Sequence, residues 1–397
     1  MRTTLINLTV SLAVILLLAL GLEVGLRLFA PQIPIIPDGI YAGDPHLRYL
    51  PRPNAVGRYR TTEYDTRITI NSQGFRDYER PLQKSAGTLR ILCLGDSFTL
   101  GAEEALEQTY PKTLEQVLRN QMADSLAYEV VNGGVGGYGT YQELLFLQRV
   151  GLSVQPDLVL VQFFSNDVRD NIAFQQFLID THQDSLMAAA GVPPMLPDSL
   201  STSSEMPKVE LNLMALPGLA PAFLSETKTF LSKHSHTYHL LRARFNILKS
   251  VLGLEPMAAF DDLMIMQETT TPELDAGWAL TERLYLRMRD LLAERQIGMV
   301  IVVVPNKAQV SESWRYDAWV KEHRLDLSKP GRRLVTFGQA NDIPVLDLQP
   351  PLRATGKGQD LFYKWDGHWN AEGAGEAGKA VARFLVEKAL VPGKARF

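Results

Sequence analysis

Hydrophobic positions along the chain change texture three times. Residues 5–22 are apolar except for Asn7, Thr9 and Ser11, and the run passes through Glu23 and Arg27 to Pro31. Residues 31–86 are rich in Pro, Tyr and Arg and hold one alternating stretch at 66–70, which reads as a strand. Beyond them, short apolar runs at 90–94, 128–131, 157–164, 299–304 and 343–348 predict strands. Apolar residues at helical spacing over 111–122, 142–150 and 371–390 predict the helices between and after them. This order implies an α/β fold with a parallel sheet covered on both faces.

The interval 173–297 far exceeds the usual connection of about 4–6 residues, so it must hold structure of its own. Its segment 193–207, rich in Pro and Ser, reads as loop. Residues 272–296 read as a helix, with Thr271 as cap, Pro272 in the first turn, and Leu274, Trp278, Leu284, Met288 and Leu291 on one broad face. The expected organisation is an anchor at 1–30, a linker and small β addition at 31–86, a core in two halves at 87–172 and 298–390, and a helical insertion at 173–297.

The N-terminal stretch is long enough to span a bilayer. A cleaved signal peptide is the rival reading, with Ala19-Leu20-Gly21 as a small-x-small site. That site lies inside the apolar run and not after a polar flank, which favours an uncleaved anchor. Glu23 and Arg27 stand four apart, so on a helix they can pair at the membrane surface. Arg2 and the amino terminus make a positive inside tail that leaves the bulk of the chain outside the cytoplasm, although Arg27 works against that bias. Otherwise the composition is that of a globular protein, 46% hydrophobic and 21% charged with formal net charge -4, and nothing points to nucleic acid. Cys93, the one cysteine, sits in an apolar run and reads as a small buried hydrophobe.

Four segments near predicted strand ends carry polar chemistry. The strand at 90–94 delivers Gly95-Asp96-Ser97-Phe98-Thr99 at its carboxyl end, where open α/β sheets bind ligands. Ser97 is a candidate nucleophile there, although Gly-Asp-Ser is also a common turn. It is not the α/β-hydrolase elbow, which needs a glycine where Thr99 stands. In 131–139 the dense glycines, Gly133, Gly134, Gly136, Gly137 and Gly139, either let backbone N–H groups approach a ligand or make a tight turn. Phe164-Ser165-Asn166-Asp167 ends the third strand, and the Asn166 amide can donate to an oxyanion or satisfy the local backbone.

The fourth segment is Trp365-Asp366-Gly367-His368-Trp369-Asn370. Asp366 can fix the His368 tautomer and leave the other ring nitrogen free for a serine proton. Asn370 can cap the helix that follows, and Trp365 and Trp369 either line the pocket or pack. The cluster His234, His236 and His239 lacks a familiar zinc spacing and reads as a solvated helix start, so no metal or cofactor is expected.

The order Ser, Gly, Asn, Asp/His resembles the SGNH (GDSL-like) hydrolases over roughly 87–172 and 298–390. The resemblance implies a flavodoxin-like three-layer fold, with Ser97 as nucleophile and with Gly137 and Asn166 joining the Ser97 N–H in an oxyanion hole. It also implies that Asp366 and His368 complete the triad, with Asp167 a lesser rival for the acid. Asp366-Gly367-His368 is one residue shorter than the usual Asp-x-x-His block. That spacing is similar to the Asp-x-His signature of polysaccharide O-acetyltransferases related to alginate acetylation, where the pair precedes the serine. The segment 71–77, Asn-Ser-Gln-Gly-Phe-Arg-Asp, resembles one found upstream of the serine block in membrane-anchored SGNH proteins.

The expectation is therefore a serine-dependent ester hydrolase or O-acyl transferase whose partner is an acylated small molecule or polysaccharide, chiefly an acetyl ester of envelope or exported carbohydrate. It would be anchored in the bacterial cytoplasmic membrane by one span, with its catalytic domain outside. The alternatives are a lipase-like esterase and a catalytically silent, membrane-tethered polysaccharide-binding or assembly protein.

Overall fold

A computed structural model of the chain describes residues 2–30, 39–61, 63–121, 126–192, 231, 235–251, 262–311, 324–364 and 366–392. The expected loop at 193–207, His234 and Trp365 lie outside these residues. The chain opens with helix α1 (Arg2–Phe29), whose segment Thr9–Phe29 has mean hydropathy 2.3 and is not buried. By length and composition it can cross a bilayer.

Two antiparallel hairpins follow, β1 (Tyr41–Asp44) with β2 (Arg48–Pro51) and β3 (Val56–Arg60) with β4 (Asp65–Thr69). The alternation at 66–70 marks β4, whereas its partner carries Gly57, Arg58 and Arg60 and gives no comparable signal. Tyr59, Ile68 and Ile70 pack with Ile40, Tyr64, Leu100 and Ala102, so this region shares a small core with the segment after Ser97.

Five parallel strands form the main sheet: β5 (Thr88–Gly95), β6 (Ala127–Gly134), β7 (Leu158–Phe163), β8 (Gly298–Val303) and β9 (Val345–Asp347). Their spatial order, β6-β5-β7-β8-β9, is the 2-1-3-4-5 order of flavodoxin-like sheets. The expected three-layer parallel architecture is therefore present.

The helices are α2 (Ser97–Leu100), α3 (Tyr110–Gln121), α4 (Thr140–Arg149), α5 (Asp167–Asp180), α6 (Asp184–Ala190), α7 (His236–Val251), α8 (Pro272–Ala293), α9 (Lys307–Val310), α10 (Lys329–Ala340), α11 (Gln349–Ala354) and α12 (Ala371–Glu387). Successive strand residues point to opposite faces. Leu92, Leu94, Val159, Val161 and Ile301 pack beneath α4, α5 and α8, while Ile91, Cys93, Leu160, Val300 and Val302 pack beneath α3 and α12. Each such burial contributes about 1.5–3 kcal/mol.

Thr271 caps α8 by accepting from the Leu274 N–H at 3.2 Å, and Trp278 stacks on Phe163 with centroids 5.3 Å apart. This helix, which sequence places in the 173–297 insertion, is thus part of the sheet's covering layer. Near the end of α1, Glu23 pairs with Arg27 at 2.9 Å and also caps α7, accepting from the Ser235 hydroxyl and the N–H groups of His236 and Thr237.

Candidate active site

Because the strands are parallel, the serine, glycine and asparagine segments all emerge at one edge, with β5 between β6 and β7. Strand order reverses beside β5, and such switch points hold the ligands of open α/β sheets. Gly95 leads into the serine turn, where an added Cβ would run into Thr99 Oγ1 and Gln162 Oε1. Only glycine fits there. Asp96 caps α2 by accepting from the Phe98 N–H at 2.9 Å, and its Oδ1 also accepts from Gln162 Nε2 at 2.6 Å. Asp96 therefore shapes the turn and leaves Ser97 as the first helical residue, half-buried.

The 71–77 segment holds this turn from behind. Asn71 Oδ1 accepts from the Gln73 and Phe75 N–H groups. Arg76 is buried and donates to the carbonyls of Leu100, Gly101 and Glu104. Asp77 accepts from the Asn132 N–H at 2.9 Å and pairs with buried Lys112 at 2.6 Å. The segment is a bracket between the serine turn and β6, a role its spacing alone did not reveal.

The glycine segment is fixed by the first hairpin. Tyr49 donates its hydroxyl to the Gly136 carbonyl at 2.8 Å, and the Gly136 N–H donates to the Tyr41 hydroxyl at 3.1 Å. Gly137 follows at φ 78°, a left-handed conformation that favours glycine, and is exposed. Asn166 precedes α5 with its Oδ1 buried and lacking a partner. The glycine segment meets the start of α5, where Asn171 Oδ1 accepts from the Tyr141 N–H at 2.8 Å.

Asp366 and His368 lie in the loop before α12, and Asn370 caps that helix by accepting from the Glu372 and Gly373 N–H groups. His368 Nε2 is 2.7 Å from Ser97 Oγ, and Nδ1 is 2.5 Å from Asp366 Oδ1. The second hairpin holds this loop. Tyr64 donates to Asp366 Oδ2 at 2.7 Å, and Glu63 accepts from the N–H groups of Lys364 and Asp366 at 2.7 and 3.0 Å. Trp369 is buried against Phe98 and Tyr110, so it packs. Asp167, the rival acid, is buried at the start of α5 and accepts from the Phe164 N–H at 3.1 Å, whereas Asp366 meets the imidazole.

Sequence reasoning missed a second carboxylate. Glu103, buried, brings Oε1 to 3.6 Å from His368 Nδ1. The two acids dominate the local electrostatics. Burial alone would lower the His368 pKa, but the Glu103 charge and the bond to Asp366 carry it up to about 10. Burial raises the Asp366 carboxyl, yet hydrogen bonding and attraction from His368, with the Tyr64 bond, hold it well below the usual carboxylate range. Burial pushes the Glu103 carboxyl up from its ordinary value, while the His368 charge pulls it down. Among the described residues, Glu103, Asp366 and His368 are the group able to ligate a metal, with ligand atoms within 4.8 Å of one another. The two carboxylates in it are the ones that face His368 Nδ1.

A family model described as GDSL-like lipase/acylhydrolase matches residues 91–215, and one described as the SGNH hydrolase-like domain of the acetyltransferase AlgX matches residues 263–396. The chain belongs to the SGNH, GDSL-like family. The GDSL-like esterase/acylhydrolase match supports hydrolase activity. Among solved structures, the lipase/acylhydrolase from Enterococcus faecalis is similar at 12% identity and TM-score 0.40, over 77% of this chain and 98% of that one. An acetyl xylan esterase, AlAXEase, is similar at 13% identity and TM-score 0.38, over 76% of this chain and all of that one (100%). The fold assignment stands on strand order and the family models, not on these superpositions. A comparison with curated proteins finds no match.

Proposed function

We propose that this SGNH protein is a serine-dependent esterase or O-acetyl transferase acting on acetyl esters of carbohydrate. The observation that carries the reading is the hydrogen-bonded chain from Ser97 Oγ through His368 to Asp366, at 2.7 and 2.5 Å. Once the imidazole is neutral, as it becomes when pH rises toward 10, His368 Nε2 takes the serine proton as Oγ attacks the ester carbonyl, Asp366 stabilises the imidazolium, and the proton passes to the departing alcohol. The oxyanion is held by the Ser97 and Gly137 N–H groups and the Asn166 amide, each worth about 3 kcal/mol. Water or a sugar hydroxyl then takes the acyl group. The AlgX-type match over 263–396, which includes the Asp-x-His loop, supports carbohydrate acetyl esters as the substrate class.

The GDSL-like lipase/acylhydrolase match favours a second reading, a lipase-like esterase with longer acyl chains. In either case the proposal places the chain in the bacterial cytoplasmic membrane with the catalytic domain outside; the apolar span Thr9–Phe29 supports α1 as an anchor or a signal peptide, and the outside placement rests on the positive amino-terminal tail.

The test is p-nitrophenol release from acetyl, butyryl and octanoyl esters by the full chain, wild type against Ser97→Ala. Serine-dependent turnover strongest on acetyl is the expected result, with a loss of about 10⁴-fold or more in kcat for the variant. Octanoyl preference would move the lipase-like reading ahead. Equal inactivity of two folded proteins would favour the silent assembly role.

A further inference from the structure

Glu103 has no place in the mechanism above, yet its position is tightly fixed. Its backbone carbonyl accepts from the Thr66 hydroxyl at 2.8 Å and from the Tyr363 hydroxyl at 3.1 Å, so β4 and the histidine loop hold it from two sides. Its side chain is 3% exposed, with Oε1 3.6 Å from His368 Nδ1. A carboxylate is buried at a cost unless positive charge faces it. Arg76 turns its N–H groups to the carbonyls of Leu100, Gly101 and Glu104. Of the charges that face Glu103, His368 favours its carboxylate most, ahead of Arg76, while Asp366 opposes it.

We propose that Glu103 is a second carboxylate partner of His368, sharing with Asp366 the positive charge that the imidazole acquires on taking the Ser97 proton. The proposal rests on the serine-esterase reading. In the step concerned, the Oγ–acyl carbon bond forms, the carbonyl π pair moves onto oxygen, and the Oγ proton moves to Nε2. The Nδ1 proton stays in its bond to Asp366 Oδ1. Glu103 takes no proton and acts through its charge, as a positioning residue.

Asp366 alone is heavily committed. Its Oδ1 takes both the ring and the backbone N–H of His368, and its Oδ2 is held by Tyr64. Glu103 adds a charge that does not compete for those bonds. The acids around the ring agree in sign: Asp366 from its own loop, Glu103 and Glu104 after α2 and Asp96 before it, with the Tyr64 hydroxyl at the hairpin tip and the Arg76 cation facing the two glutamates. That setting is why the imidazolium is favoured up to about 10.

The experiment compares the full chain in lipid nanodiscs as wild type, Glu103→Gln, Asp366→Asn and the double variant, following kcat/KM for p-nitrophenyl acetate against pH. Loss of the Glu103 charge is expected to move the rising limb of the profile down by about one unit and to lower the alkaline plateau about tenfold. Asp366→Asn should lose about 10²-fold, and the double variant about 10⁴-fold, the loss typical of a triad stripped of its acid. A purely structural role would scale the profile without moving its midpoint.

Nitrogen NMR titration of His368 reads the same shift without turnover, and so separates this proposal from the esterase reading: Ser97→Ala with wild-type turnover sinks the latter while the titration still reports on Glu103. Glu103→Asp, which keeps the charge at a longer reach, should give a smaller downward shift and serves if the glutamine variant does not fold. An unmoved His368 midpoint, or an Asp366→Asn loss as deep as the double variant's, overturns the proposal.

Discussion

The parallel sheet and the two N-terminal hairpins hold the same loops by different physics. In the sheet, Ser97, Gly137 and Asn166 are carried to one edge by strands buried on both faces, and the hold is apolar and non-directional. In the hairpin region the hold is directional: Tyr41 and Tyr49 on the Gly136 peptide, Arg76 on the carbonyls after Ser97, Glu63 and Tyr64 on the histidine loop. Apolar packing fixes which strand ends meet but tolerates small shifts. Hydrogen bonds fix the tenths of an ångström on which proton transfer depends. The sheet should therefore govern stability and the hairpins rate.

Leu160→Ala, in the centre of β7, tests the sheet's half of this contrast and carries the largest expected effect. It should cost about 3 kcal/mol of unfolding free energy by denaturant titration, with kcat of the folded fraction unchanged. Glu63→Gln tests the other half: about a tenfold fall in kcat/KM with little change in unfolding temperature, since it weakens charge-assisted bonds to the Lys364 and Asp366 N–H groups. A large stability loss without a rate loss would reverse the assignment.

His368, held by both regions, links them through pH. Its pKa rises from 6.5 in the unfolded chain to about 10 in the fold, so its contribution to stability is complete below 6.5 and lost as pH climbs toward 10. Unfolding free energy should fall across that window by at most about 1.4 kcal/mol per pH unit, and His368→Gln should flatten the slope. The smallest effect is expected for Tyr49→Phe, roughly fivefold in kcat from a loosened glycine segment, with KM unchanged.

The contrast also explains what could be read in the sequence. The strands β5, β6 and β7 are short apolar runs ended by glycine or polar residues, so their carboxyl ends were legible as places for polar groups, whereas the choice of Gly137 among five glycines rests on the family resemblance. The Asp366–His368 pair was legible from its place before a capped helix. Cross-chain contacts were not. Tyr64 lies 302 residues from Asp366, and Tyr49 lies 87 from Gly136, distances over which no periodicity speaks. Glu103 sits in the run Ala102-Glu103-Glu104-Ala105, where an acidic residue reads as solvated surface. The packing of α8 on the sheet was hidden for another reason: an amphipathic helix announces that it has a partner, not which one.

The separation of 271 residues between Ser97 and His368 has a consequence for biosynthesis. The serine turn is translated early, whereas His368 arrives near the end of the chain. At about 5–20 residues per second, Ser97 is made tens of seconds before His368. The hydrogen bond between Ser97 and His368 thus forms late, after the strands of both halves of the sheet have been made.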